Sequence, residues 1–314
     1  MMRILIVGAG ATGGALGARL ITGGHDVTFL VRDRRASQLT AEGLSFRAPD
    51  LRVVHSVRAV TTLDGADPFD LVIVAVKAPA LDAIIPTLTP AIGPETRIVP
   101  LLNGMAHIDQ LEQAFPRQVL GGIVKILATL DEDATVVQMT PLFSLTVGGL
   151  HEEPVPDQIR RTLDVNGITL DVAYDIASRL WEKWAFIAAA SVITCLFRGT
   201  IGDILAAGGE VQILRAIAEC EQIAEAAGHP VGGAGHAQSL ALLMEPGSAF
   251  TSSLYRDLQH GDPVEAEHII GDLAMRGADL ETPAPLLNAA LLQLRTHHQS
   301  LIRTQGSYNQ ETRA

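Results

Sequence analysis

The residues with the clearest chemical purpose lie near the start of the chain. Gly8, Gly10 and Gly13 spell G-x-G-x-x-G directly after the apolar run Arg3–Val7, at the opening of a helical pattern. In that strand–turn–helix setting each glycine has its own task. Gly8 permits a tight turn, Gly10 lets backbone approach a pyrophosphate, and Gly13 allows the helix to pack closely on the strand. A helix N-terminus adds unpaired N–H groups and a favourable dipole end, so Gly8, Gly10, Ala11, Thr12 and Gly13 are assigned to a dinucleotide. A ligand-free glycine turn is the competing reading, since the chain holds 29 glycines. After the second apolar run, Leu30-Val31-Arg32-Asp33-Arg34-Arg35 puts Arg32 where NAD-binding chains usually carry an acid for the ribose 2′-hydroxyl. A guanidinium there suits a 2′-phosphate, which favours NADPH with Arg32 as reader and Arg35 as helper. Asp33 keeps NAD open, and a solvated arginine loop is the alternative.

These groups need elements to hold them. The first half alternates short apolar runs (Arg3–Val7, Asp26–Val31, Asp70–Val76, Arg97–Leu101, Val119–Leu127) with helical patterns (Gly13–Ile21, Arg35–Glu42, Ala80–Leu88, Ile108–Ala114). Such alternation predicts a doubly wound parallel sheet, which Val136–Met139 and Phe143–Val147 would extend. After Val172 the pattern turns helical, over Ile176–Leu196, Ile201–Ala206, Val211–Ala227, Ala237–Leu243, Pro263–Arg276 and Pro285–Thr304. The expectation is a Rossmann-type α/β domain over residues 1–172 and an all-α substrate domain over 173–314, with a substrate cleft between them.

Bulk composition narrows the function classes. Of the 314 residues, 47% are hydrophobic and 18% charged, enough for a substantial core, with only the polar Thr304–Ala314 tail reading as unstructured. A net charge of -12 argues against non-specific nucleic-acid binding and requires a local basic cluster to draw in an anionic cofactor. Two cysteines, Cys195 and Cys220, build neither a disulfide framework nor a zinc site and fit a cytoplasmic location. The apolar start reads as a buried strand in place of a signal peptide, and Trp184–Phe197 as a core helix in place of a membrane span.

Further motifs carry a family resemblance along nearly the whole chain. Val74-Ala75-Val76-Lys77, Leu101-Leu102-Asn103-Gly104-Met105, Leu180-Trp181-Glu182-Lys183, Ser252-Ser253-Leu254-Tyr255-Arg256-Asp257 and Pro263-Val264-Glu265-Ala266-Glu267 follow the glycine fingerprint in order. Together they resemble the ketopantoate reductase family. The resemblance implies a helical C-terminal domain of the 6-phosphogluconate-dehydrogenase-like type and NADPH-dependent reduction of ketopantoate. It also implies Lys77 on the cofactor side, Asn103 near nicotinamide and substrate, Lys183 as catalytic lysine, Ser253 as substrate-binding, and Glu265 as catalytic and cofactor-side glutamate. The chemistry is coherent. Hydride delivered to a ketone carbon leaves negative charge on oxygen, which a positioned ammonium can offset and protonate. Taken without the resemblance, a lysine beside Trp184 and Phe186 reads as a snorkelling side chain.

The departures from the family pattern cluster. Where it carries asparagines four and eight positions after the lysine, this chain has Ile187 and Ser191, and Ile201 replaces another asparagine. An apolar replacement selects by shape where an amide would select by hydrogen bonding, so an acceptor with an apolar arm is expected. Arg198 is a candidate clamp for the substrate carboxylate, or simply a helix C-terminal charge. No metal is expected: His151-Glu152-Glu153 is not H-E-x-x-H, His297 and His298 point to different helix faces, and His260 and His268 lack a third ligand. The partner is a small 2-keto acid, with neither nucleic acid nor membrane, and a homodimer is left open. Two rivals stand beside ketopantoate reduction: a 2-hydroxy-acid dehydrogenase for bulkier acids, and a dinucleotide-binding regulatory protein without turnover.

Overall fold

Strands apolar on both faces must be covered on both sides, and in the first half of the chain one helix between two sheets covers the inner face of each. The computed structural model describes residues 2–151, 153–261 and 264–311, with side chains described as far as residue 303. Its contacts divide the chain into two units, residues 1–102 with 106–177, and residues 103–105 with 178–314. The first unit runs β1 (Arg3–Val7), α1 (Ala11–Thr22), β2 (Asp26–Leu30), α2 (Asp33–Glu42), β3 (Leu44–Arg47), β4 (Arg52–His55), β5 (Arg58–Val60), β6 (Phe69–Val74), α3 (Leu81–Leu88), β7 (Ile92–Pro100), α4 (Ala106–Ala114), β8 (Leu120–Leu130), β9 (Val136–Gly149), α5 (Asp157–Leu163) and β10 (Thr169–Val172).

The parallel sheet has the order β5-β2-β1-β6-β7, so strand order reverses beside β1. That reversal is the topological switch point where open α/β sheets bind ligands. The expectation that Val119–Leu127, Val136–Met139 and Phe143–Val147 join this sheet needs correction. β8 and β9 pair antiparallel in a second sheet of order β10-β9-β3-β4, which meets the first sheet at the Ile98–Val119 bridge. The connection between β8 and β9 is far too short for the crossover that parallel pairing requires, so it must form a hairpin. The two predicted pieces are one strand, because Pro141 falls in the register break of the β8–β9 ladder, where its missing N–H costs nothing.

α1 lies against both sheets, which explains its small residues. A Cβ at Gly17 would stand 2.3 Å from the Phe29 ring of β2, and one at Gly14 would stand 2.6 Å from Val136 of β9. The same burial takes Arg19 out of solvent at 3% exposure. Its charge is met by both Asp50 oxygens at 2.8 and 2.6 Å and by Gln138 Oε1 at 3.2 Å.

The second unit contains α6 (Ile176–Phe197, whose first two residues belong to the first unit), α7 (Ile201–Ala206), α8 (Glu210–Ala226), α9 (Gly233–Leu243), α10 (Ser253–His260), a π-helical turn Glu267–Gly271, α11 (Asp272–Asp279) and α12 (Pro285–Glu311). α6 is long and apolar enough to cross a membrane, but 67% of its most apolar window is buried in protein, as in a core helix. Buried Glu219 of α8 accepts the backbone N–H groups of Leu286 and Leu287, docking the N-terminus of α12. α12 continues past the predicted end at Thr304, since no proline follows to stop it. The predicted helix start at Pro263, Glu152, and the side chains of the Thr304–Ala314 tail lie outside the described residues.

Candidate active site

The glycine turn has the shape a pyrophosphate needs. Gly8 sits at φ +98°, and a Cβ there would approach the Ala75 carbonyl at 2.8 Å. At Gly13 a Cβ would stand 2.1 Å from the Gly8 oxygen, whereas at Gly10 it would meet nothing within 4 Å. The turn is therefore closed toward the sheet and open outward at Gly10, the N-cap of α1, which has no side-chain cap. Ala11 and Thr12, half-buried, begin the helix whose N–H groups face that opening. A dinucleotide fits this cradle.

Arg32 is exposed at the N-cap of α2, and Lys77 is exposed just beyond β6, at the N-cap of a short 3-10 turn. Arg35 is placed differently from the helper role expected of it. Its Nε donates to the Ala9 carbonyl and its Nη1 to the Ala134 carbonyl, each at 3.1 Å, and Nη1 also donates to Gln38. Burial pulls its pKa down. These donors brace the glycine turn, while Arg32 and Arg34 are exposed at this strand end and Arg32 is the one directly after the apolar run.

In the helical unit three segments meet. Lys183, half-buried, lies about two turns into α6, and the next residue, Trp184, is 1% exposed. The Trp184 indole N–H donates to the Ile269 carbonyl at 2.9 Å. Ile269 sits in the π-helical turn, and its own N–H donates to the Glu265 carbonyl at 3.3 Å. Asn103-Gly104-Met105 packs with this unit although its chain neighbours belong to the other. Gly104, at φ +88°, lies so close that a Cβ would be 2.5 Å from the His268 carbonyl and 3.9 Å from Trp184 Nε1. The residues adjoining Asn103, Lys183 and Glu265 thus share one packing point, although 80 or more positions separate each of these three in sequence.

Farther along α6, the substrate assignments separate. Ile187 is half-buried one turn after Lys183, and Ser191 is fully buried with no partner for its Oγ. Ser253 is exposed in the first turn of α10, while its neighbour Ser252 is the buried N-cap. Thr194 Oγ1 donates to the Ala190 carbonyl at 2.7 Å, so it accepts from Ser252 Oγ at 2.8 Å, which in turn accepts the Tyr255 N–H at 3.1 Å. Burial pushes the adjoining Cys195 thiol up to about 12, leaving the cluster uncharged at neutral pH.

Two expectations are corrected. Arg198 stands beyond the end of α6, fifteen residues or roughly 22 Å of helix from Lys183. It lines a cavity of about 460 Å³ against Leu292, Gln293 and Thr296 of α12, too far away to clamp a small acid held by that lysine. Ile201 is fully buried, its N–H bonded to the Phe250 carbonyl, because the Thr200–Asp203 capping box turns it inward. The sequence reading also missed Trp184 as a contact and the helix α10 altogether. Ser252 ahead of Leu254, Tyr255 and Leu258, with left-handed Gly261 after His260, is the start-and-stop signal that marks α10. Among the described residues no group of three metal-ligating side chains occurs.

The profile described as ketopantoate reductase PanE/ApbA matches residues 4–152, and its C-terminal counterpart matches residues 175–298. The chain belongs to the PanE/ApbA ketopantoate reductase family. It is 33% identical over 301 residues to the uncharacterized oxidoreductase YkpB of Bacillus subtilis (strain 168), covering 94% of this chain and 99% of that one. A 2-dehydropantoate 2-reductase of Caulobacter vibrioides is 27% identical over 300 residues, covering 93% and 98%. The ternary structure of D-mandelate dehydrogenase with NADH and anilino(oxo)acetate superposes with a TM-score of 0.85 at 19% identity, over 96% and 99% of the two chains, a likeness of fold. This PanE/ApbA member is a pyridine-nucleotide-dependent oxidoreductase acting on a CH–OH group, of the class that reduces 2-keto acids.

Proposed function

We propose that this protein reduces a 2-keto acid with an apolar arm to the 2-hydroxy acid, using NADPH. The observation that supports the reading is the common packing point of Gly104, Trp184 and the Glu267–Gly271 turn, residues that adjoin Asn103, Lys183 and Glu265 in the chain. The cofactor is assigned to residues 1–172 and the acid chemistry to 173–314, with Asn103 contributed across that boundary. A nicotinamide dinucleotide in the Gly8–Gly13 cradle supplies the hydride. Lys183 donates the proton to the carbonyl oxygen and offsets the charge that develops there. Asn103 and Glu265 orient the ammonium. Ser253 and the first N–H groups of α10 receive the substrate carboxylate, for which a helix N-terminus is electrostatically suited.

Arg32 favours NADPH, since a guanidinium pairs with a 2′-phosphate and gains nothing from a bare hydroxyl. Lys77 and the N–H groups of Ala11 and Thr12 complete the anion-binding side. Ile187, half-buried one turn beyond Lys183 where the family pattern has an amide, supports an apolar arm. The D-mandelate dehydrogenase fold, bound in its own structure to anilino(oxo)acetate, is compatible with an aromatic acid. A second reading, ketopantoate itself, is favoured by the family profile and by the Caulobacter relative.

The deciding experiment follows NADPH and NADH oxidation with ketopantoate and with branched and aromatic 2-keto acids, using Lys183→Ala as control. The proposal expects the highest kcat/KM on an apolar acid with NADPH. A clear preference for ketopantoate removes the argument from Ile187, and full turnover by Lys183→Ala removes the lysine.

A further inference from the structure

Trp184 is the largest side chain in the protein that is almost wholly buried, yet it carries a polar N–H that must be satisfied. It spends that N–H on Ile269, inside a π-helical turn. π-turns cost stability relative to α-helix and are held where a particular register is required. Behind the ring, the Arg276 guanidinium lies 5.6 Å from the centroids of both Trp181 and Trp184, with its Nε bonded to Asp272 Oδ1 at 3.1 Å. Trp181 is stacked in turn on His229 at 5.5 Å. The indole is thus fixed on the Arg276 side while its N–H holds Ile269 and its edge borders Gly104.

We propose that Trp184 is a positioning residue: its indole N–H pins the π-helical turn so that the segments bearing Glu265 and Asn103 keep one register against the Lys183 turn. The geometry gives the reason. Glu265 is one hydrogen bond from Ile269, Asn103 is one residue from Gly104, and Lys183 is one residue from Trp184. Relaxation of the π-turn to α-helix shifts Ile269 and His268 together. Because the His268 carbonyl already fills the space a Gly104 Cβ would need, that shift moves the Asn103 turn as well.

The inference rests on the 2-keto acid reading for its catalytic consequence but not for its structural one, so two readouts separate them. Trp184→Phe keeps an aromatic six-membered ring and deletes the N–H together with the pyrrole half of the indole. A packing loss therefore accompanies the lost hydrogen bond, and Tm is read beside the other measurements. The expected result is a kcat lowered about tenfold, the scale of one buried hydrogen bond lost. The pH–rate limb that depends on Lys183 moves, while the NADPH Kd stays within twofold of wild type. Amide exchange in the same variant accelerates at residues 103–105 and 265–271. A lowered Tm with unchanged pH limb and unchanged exchange at 103–105 overturns the proposal and leaves Trp184 as core packing. If wild type turns over no acceptor in the panel, the reduction reading falls and the exchange data alone decide. Should Trp184→Phe not fold, Gly104→Ala presses on the same contact from the other side, and unchanged exchange at 265–271 in that variant equally overturns the clamp.

Discussion

The cradle at the start of the chain and the lysine site in the helical unit are built on opposite principles. The cradle is made of backbone. It offers the first N–H groups of α1 beside open space at Gly10, and its side chains matter by being absent. The region beside Lys183 is made where three distant segments pack, through the Trp184 side chain and the backbone of Gly104, His268 and Ile269. Arg35 and Trp184 show the same contrast in miniature. Arg35 braces a local turn through the Ala9 carbonyl 26 positions away, whereas Trp184 binds a carbonyl 85 positions away. A backbone site tolerates little change inside the turn, while a side-chain site can be emptied without unfolding the protein.

The strongest way to sharpen this comparison is Lys183→Ala. A fall of about 10²–10⁴-fold in kcat/KM for the best acceptor is expected, with far-UV dichroism and NADPH affinity as in wild type. Loss of cofactor binding in that variant would contradict the separation of the two sites. Next in size, Gly13→Val forces atoms into the Gly8 carbonyl, so about 3 kcal/mol or more of stability and measurable dinucleotide binding go together. Gly10→Ala has open space, so Tm should hold while NADPH affinity falls, and an affinity unchanged by fluorescence titration would deny that the opening is used. Arg32→Gln is expected to reduce the NADPH-over-NADH preference about tenfold, the value of one charge-assisted contact. An unaltered cofactor ratio would assign the preference elsewhere.

The smallest effect concerns acid stability. The Arg19 guanidinium holds the Asp50 carboxyl below its ordinary pKa. With the folded pKa depressed, this contribution is complete above the unfolded carboxylate value of about 3.9 and is lost as pH falls through the folded one. Asp50 is about half exposed, so screening limits the effect to about 1 kcal/mol. Asp50→Asn should therefore lower the urea midpoint at pH 7 more than at pH 3, and an equal change at both would assign the effect to packing.

Much of the first unit was legible because its determinants are local. β1, β2, β6 and the glycine turn follow from apolar runs and fixed spacing, which the chain states within a few residues. Where the reading erred, the deciding interactions were distant. The partner of β8 depended on a hairpin closing, and the continuity of β9 on a ladder break that accommodates Pro141. Lys183, Asn103 and Glu265 could be nominated from motifs in the linear text, yet nothing in that text states that their neighbours Trp184, Gly104 and Ile269 pack together.

By itself, then, the sequence determined the dinucleotide turn, the parallel strands around it and the apolar core helix, since turn stereochemistry and burial periodicity act over a few residues. Tertiary packing was needed to show that Arg35 braces the turn, that Ile201 is buried, that Arg198 lies far along the helix, and that the Trp184 indole bonds the Ile269 carbonyl beside Gly104. Such facts depend on which side chains meet after distant segments pack, and a linear order of residues does not encode that distance.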